Sequence, residues 1–283
     1  MKKVFLIDGH ALIFRMYYAF LRRPMINTKG IDTSILFGFT KYILDLIKRE
    51  SPTHLAVAFD PPAKTFRHEI YPEYKATRSA TPELVKEALE PLTEIVKSLG
   101  IPVFMMPGFE ADDVIGSLAK SLEMRGFDTY MVTPDKDYGQ LVSDHIFQYK
   151  PGKSSEENII IDKEYIKAQY NIEDPLQVID ILTIRGDASD NVKGVTSVGE
   201  VGAKKLIAKY KSVENIYEHL DELTPKLKSS FIDAKEHIAL SKYLVTIKSD
   251  IEMEIDEDDL ILQPKYCQKV AELFDYYEFN SLL

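Results

Sequence analysis

Apolar and polar positions follow a repeating rule over the first half of the chain: a short apolar run, an acid, then an amphipathic stretch. KVFLI (3–7) is an uninterrupted apolar run of strand length, and Asp8 follows it at once. ALIFRMYYAFL (11–21) and TSILFGFTKYILDLIKRE (33–50) carry apolar residues at helical spacing, the second opened by Thr33 or Ser34. HLAVAF (54–59) predicts a strand ending in Asp60. A helix is expected from Thr81-Pro82-Glu83, with Pro82 at its first position, to Leu99-Gly100. PVFMM (102–106) is the next strand, followed by Glu110, Asp112, Asp113 and a helix to about Gly126. TYMVT (129–133) is another, with Asp135 and Asp137 behind it.

Alternation of this kind predicts an α/β fold with a mostly parallel central sheet and helices on both faces. Ligands of such sheets collect beyond the carboxyl ends of the strands. Asp8, Asp60, Glu110, Asp112, Asp113, Asp135 and Asp137 are therefore expected to converge on one edge. Helix capping and the helix dipole favour an acid at a helix start by about 0.3–1 kcal/mol. That explains one or two of them, but not their return at equivalent places.

The second half reads differently. YKPGKSSEEN (149–158) looks like an exposed loop, and beyond it the chain reads as helical. The expected division is a core over 1–168 and a helical module with an acidic tail over 169–283. DPLQVIDILTIRG (174–186) predicts a helix, with Asp187 and Asp190 just past its end. A glycine-rich turn, Gly194 to Gly202, separates it from the next helix. DIEMEIDEDD (250–259) reads as a solvated loop or strand edge.

A formal charge of −10 over 283 residues argues at first against a nucleic-acid partner. The distribution changes that. Two carboxylates about 4 Å apart repel by roughly 4 kcal/mol at an effective dielectric of 20. A cluster of seven to nine would outweigh a typical fold stability of about 5–15 kcal/mol, so it needs cations. All-oxygen donors without His or Cys favour Mg²⁺ or Mn²⁺, and the number of acids points to two ions, the arrangement suited to phosphodiester hydrolysis. Set aside nine acids and the remaining charge is −1. Within 61–81, Lys64, Arg67, Lys75 and Arg78 alternate with Phe66, Tyr71 and Tyr74, the composition of a single-strand binding segment. Around the glycine turn lie Lys193, Lys204, Lys205 and Lys209, suited to a phosphate at a helix N-terminus. A P-loop is excluded, because Glu200 and Val201 stand where Lys and Ser/Thr belong.

A single cysteine, Cys267, excludes an internal disulfide and a cysteine-based zinc site. No apolar run approaches the ~20 residues of a membrane span, and VFLI is too short for a signal peptide. A cytoplasmic monomer with no membrane partner is the expectation. The six histidines are scattered, with His10 a candidate neighbour of the acids.

LIDGHAL, AVAFD, FRHEIYPEYKATR, GFEADDVIG, TPDKD and IRGDASDNVKGV, in this order across nearly the whole chain, resemble the 5′ nuclease (flap endonuclease-like) domain found at the N-terminus of bacterial DNA polymerase I. The resemblance implies a metal-dependent nuclease that trims 5′ flaps and RNA primers at duplex DNA junctions, with polymerase domains in the same full-length chain. It assigns Asp8, Asp60, Glu110 and Asp112 to one ion, and Asp113, Asp135, Asp137, Asp187 and Asp190 to a second. Residues 61–81 correspond to the family's arch, with Lys75 and Arg78 reaching the scissile phosphate, Lys64 and Arg67 beside them, and Tyr74 stacking on a base. The turn carrying Gly194, Gly199 and Gly202 resembles a helix–three-turn–helix that grips the duplex, often with K⁺. Here it reads SVGEVG where Gly-Ile-Gly-Pro-Lys-Thr is common, so Lys204 or Lys205 is expected to stand in for the missing lysine. The alternatives are a PIN-class single-strand ribonuclease and a non-catalytic junction-binding module.

Overall fold

The computed structural model describes residues 2–263 and 267–283. In chain order the elements are β1 (Lys2–Asp8), α1 (Gly9–Phe20), α2 (Ser34–Glu50), β2 (His54–Ala58), α3 (Phe66–Ile70), α4 (Glu83–Ser98), β3 (Val103–Phe104), α5 (Ala111–Met124) and β4 (Phe127–Val132). They continue with β5 (Ile146–Lys150), β6 (Ile159–Ile161), α6 (Lys163–Tyr170), α7 (Gln177–Arg185), α8 (Glu200–Tyr210), α9 (Val213–Tyr217), α10 (Pro225–Ala234), α11 (Ile238–Val245) and α12 (Gln268–Tyr277). The chain folds into two compact units that do not follow a single cut. The first comprises Met1–Pro62, Ala80–Pro134 and Ser249–Leu283; the second comprises Ala63–Ser79 and Asp135–Lys248.

In the first unit β3, β2, β1 and β4 lie side by side in that order, all parallel. β1 and β2 are the inner strands, which is why their sequences are near-continuous apolar runs: Val4 to Ile7 and Leu55 to Ala58 are all at most 2% exposed. The register pairs Asp8 with Ala58, so Asp60 leaves β2 just beyond the end of β1. The apolar face of α5 packs on β1, β2 and β4. The predicted strand at 102–106 pairs over only Val103–Phe104.

The run 250–259 is largely a loop with most of its acids exposed, as expected, and it is anchored to the first unit. Its burial alternates residue by residue, with Ile251, Met253 and Ile255 half-buried between exposed Glu252, Glu254 and Asp256. Ile251 N donates to Ser117 Oγ, Arg125 Nη1 donates to Ile255 O, and Lys2 Nζ meets Glu257 Oε1 at 2.8 Å. Leu262 N then donates to Thr53 O, and α12 returns to α4. The C-terminal stretch thus completes the unit that the N-terminus begins.

The second unit corrects the reading of 149–158 as an exposed loop. β5 and β6 form an antiparallel pair in which Tyr149, opposite Ile160, is 1% exposed. Only the connection is a loop, closed by Gly152 N donating to Asn158 Oδ1. Helices α6–α11 enclose Ile166, Val178, Ile181, Ile184, Ile207, Phe231 and Leu244. Among the described residues no helix is long and apolar enough to cross a membrane.

Candidate metal centre

The acids of the first unit sit where strands stop and helices start, and each doubles as a local cap. Asp8 closes β1 and caps α1: its Oδ1 accepts Ala11 N at 3.2 Å. Its Oδ2 accepts the hydroxyl of Thr133, which ends the neighbouring strand run, at 3.2 Å. The residue after Asp8 must be glycine, since a Cβ at Gly9 would lie 2.4 Å from the Phe59 ring. Asp60 is held from two sides: its N–H donates to His10 Nδ1 (2.9 Å), and its Oδ1 accepts Ala111 N (2.7 Å) in the first turn of α5. That last bond ties the β2 end to the start of α5, where Glu110 and Asp113 form a reciprocal capping box. Asp113 Oδ2 accepts Glu110 N, and Asp113 is wholly buried.

Glu110, Asp112 and Asp113 each present a ligand atom within 4.8 Å of the others. The donors are all carboxylate oxygens, a set that suits a hard divalent cation. The residues present therefore fit a Mg²⁺- or Mn²⁺-type ion. The structure thus clusters Glu110, Asp112 and Asp113 and ties Asp60 to the start of the same helix, while Asp8 closes the neighbouring strand. The sequence undervalued Thr133, whose signal was a hydroxyl closing TYMVT where other strands deliver an acid.

A second acidic set lies in the second unit. Asp135 Oδ1 accepts Asp137 N at 2.9 Å, opening a short 3₁₀ turn over Lys136–Leu141. Asp187 Oδ1 accepts Ser189 Oγ and Asp190 N. Burial, then the charges of Asp135 and Asp187, push the Asp137 carboxyl up to about 8, against a smaller lowering by Arg185. Asp135 is also raised: desolvation dominates even though the residue keeps an exposed edge, Asp190 and Asp187 add to it, and the Asp137 N–H and Lys75 oppose it. Carboxyls that resist ionising together are what a cation would relieve.

The basic segment meets its expectation only in part. Lys64 is exposed, and Lys75 lies near enough to Asp135 to lower its pKa. Arg78 donates to Asp190 Oδ1 and, through Nε, to Ser189 O. Arg67 is not presented at all: it is 2% exposed, and its guanidinium donates to Leu244 O and Thr246 O. It is a structural strut, and Arg67→Ala is expected to destabilise the protein by about 3 kcal/mol in urea unfolding. Tyr74 is 5% exposed, edge-on to His68 with Lys75 Nζ over its ring, so it offers no open face to a base.

The glycine turn also differs. α8 begins at Glu200, which places Gly202 inside the helix, against Val198. Gly194 is required by packing, since a Cβ there would lie 2.4 Å from Ile184 O, and its carbonyl accepts His237 Nε2. Gly199 alone of the three stands in open space, at the α8 N-cap. Lys193 and Lys205 are exposed; Lys204 pairs with Glu200 (3.9 Å) and lies over Tyr170. Glu200 also meets Arg185 at 3.4 Å, so a paired carboxylate stands at the helix start. Ser197, in place of a usual glycine, adopts φ 67°, a left-handed conformation that glycine takes at no cost.

Carboxylates at the ends of parallel strands, more carboxylates on a helical unit, and oxygen-only donors define the class: a metal-dependent nuclease. Two family models cover the chain, "5′-3′ exonuclease, N-terminal resolvase-like domain" over residues 3–171 and "5′-3′ exonuclease, C-terminal SAM fold" over 173–268. The chain belongs to the 5′-3′ exonuclease family. It is 36% identical to a 5′-3′ exonuclease of Aquifex aeolicus over all of this chain and 94% of that one. It is equally similar to DNA polymerase I of Bacillus caldotenax, but spans only 32% of that protein's length. A structure of T5 D15 protein co-crystallised with metal ions shares the fold, with TM-score 0.71, 23% identity and coverage of 87% and 90%. So does the catalytic core of Rad2 in complex with DNA substrate, with TM-score 0.63, 15% identity and coverage of 98% and 87%.

Proposed function

We propose that this chain is a structure-selective nuclease that hydrolyses phosphodiester bonds at 5′ flaps and RNA primers on duplex DNA, using two divalent ions, Mg²⁺ or Mn²⁺, in replication and repair. Its polymerase I relatives are longer, and a place at the N-terminus of such a chain is part of this reading. The carrying observation is the Glu110–Asp112–Asp113 cluster, tied through Ala111 to Asp60. Asp8, Asp60, Glu110 and Asp112 are assigned to one ion. Asp135, Asp137, Asp187 and Asp190 are assigned to the second, with Asp113 chiefly holding Glu110 in place.

Bound there, such ions lower the pKa of water toward 7 and stabilise charge on the attacking and leaving oxygens. Lys75 and Arg78 would orient the scissile phosphate and meet its equatorial charge. Lys64, Lys193 and Lys205, all exposed, would contact backbone phosphates, with the N–H groups at Gly199 and a K⁺ ion at the 194–202 turn. No side chain need act as general base. Lys75→Ala is expected to slow flap cleavage by ~10²-fold, read in single-turnover assays.

The test compares a 5′-flap duplex with linear RNA, with and without Mg²⁺, resolving products by mass. Mg²⁺-dependent release of the flap supports the reading. Preferential cutting of linear RNA would indicate the PIN-class alternative, and binding without cleavage a junction-binding module.

A further inference from the structure

Residues 71–78 are fastened to the loop 187–192 in a way the nuclease reading does not use. The loop is a closed ring: Asp187 N donates to Val192 O (2.9 Å) and Val192 N to Asp187 O (2.8 Å). Inside it, Asp187 Oδ1 gathers Ser189 Oγ and Asp190 N. Four consecutive carbonyls of the loop each take a donor from the strap, Ala188 O in addition to the Asn191 N–H it accepts within the loop at 3.2 Å. Ala188 O accepts Thr77 Oγ1 (3.5 Å), Ser189 O accepts Arg78 Nε (3.2 Å), Asp190 O accepts Lys75 N (2.8 Å) and Asn191 O accepts Tyr71 OH (3.1 Å). Asn191 Nδ2 returns a bond to Glu73 O at 2.9 Å. Lys75 and Asn191, facing each other across this seam, both hold left-handed backbone, at φ 59° and 58°. Uncommon conformations of this kind persist where the surroundings over-determine them.

The last clasp is ionic: Arg78 Nη2 donates to Asp190 Oδ1. Half of the Arg78 side chain remains exposed, and an ion pair that open to water is weak and replaceable. Asp190 is also one of the carboxylates assigned to the second cation.

We propose that Arg78 is a built-in counter-ion and that the strap 71–78 is latched in the ion-free protein. A divalent cation at Asp187 and Asp190 displaces the guanidinium by charge repulsion, loosens the strap and releases Arg78 toward the substrate phosphate. The latch makes cation loading a precondition for presenting the basic strap, so nucleic acid is engaged by an enzyme already loaded. This rests on the metal-dependent reading above and adds to it a coupling between ion and strap.

The experiment is amide hydrogen exchange across 71–79 in the full chain without DNA, with and without saturating Mg²⁺, paired with Mn²⁺ binding isotherms. Exchange at Lys75 and Arg78 is expected to quicken at least tenfold with Mg²⁺. Arg78→Ala is expected to bind Mn²⁺ about tenfold more tightly, having lost a like charge at the site. Tyr71→Phe, which removes one strap bond and no charged group, is expected to quicken the same amides without Mg²⁺. Mn²⁺ binding to the wild type with the strap amides still protected, and no gain in Arg78→Ala, would overturn the latch and leave the nuclease reading standing. No Mn²⁺ binding at all would overturn both.

Discussion

Asp112→Asn is expected to lower 5′-flap cleavage by ~10³-fold or more at saturating Mg²⁺, with DNA affinity changed by less than about tenfold. Asp112 lies in the first turn of α5 and is half-buried, while its neighbours in the cluster, Glu110 and Asp113, are buried and share a capping box. The asparagine is isosteric and leaves that box intact. It removes the charge that a divalent ion requires while keeping the side chain's shape and an acceptor oxygen. Asp113→Asn supplies the contrast. Its carboxylate, wholly buried, accepts Glu110 N, so the change should cost stability more than turnover. Single-turnover rates beside urea midpoints for the two variants check this. Equal loss of cleavage with no loss of stability in Asp113→Asn would reassign that residue as a ligand.

Asp137→Asn is expected to stabilise the metal-free protein while abolishing its activity. Burial and the charges of Asp135 and Asp187 push the folded-state carboxyl up to about 8, against about 4 in an unfolded chain. Between those values the folded protein holds a proton that the unfolded chain has released. Stability therefore falls as pH rises through that window, and is highest at its acidic end. In EDTA at pH 8 the substitution should raise stability by on the order of 2–3 kcal/mol and flatten the slope between pH 4 and 8. With Mg²⁺ the order should reverse, since the wild type gains binding energy that the variant lacks. The same proton competes with the cation, so wild-type Mn²⁺ affinity should climb from pH 6 to pH 8. Thermal melts across pH, with and without Mg²⁺, read all three. A variant less stable than wild type in EDTA at pH 8 would contradict the desolvated-acid account.

These acids were legible because they follow short apolar runs of the kind that buried parallel strands carry. KVFLI and HLAVAF are inner strands, and Asp8 and Asp60 mark where they end. What the sequence hid depends on partners far along the chain. Arg67 looks like Lys64 and Arg78, but the carbonyls of Leu244 and Thr246 that bury it have no local signature. The pairing of β5 with β6 was lost because IFQYK mixes polar and apolar residues and its partner is three isoleucines past a polar loop. The return of 249–283 to the first unit is settled by contacts such as Lys2 with Glu257, which periodicity cannot encode. The atypical turn was visible as a departure, and its structural meaning, a left-handed Ser197 and a Glu200 paired to Arg185, was not.

On the proposed reading, carboxylates of this chain hold divalent cations without which no phosphodiester is cut. This is tested most directly by counting Mn²⁺ per chain in samples whose flap cleavage is measured in parallel. The expected result is two ions in the wild type, one in Asp112→Asn and one in Asp187→Asn, with cleavage lost in both variants and in EDTA. Wild-type cleavage persisting in EDTA, or in a variant that binds no ion, would contradict it.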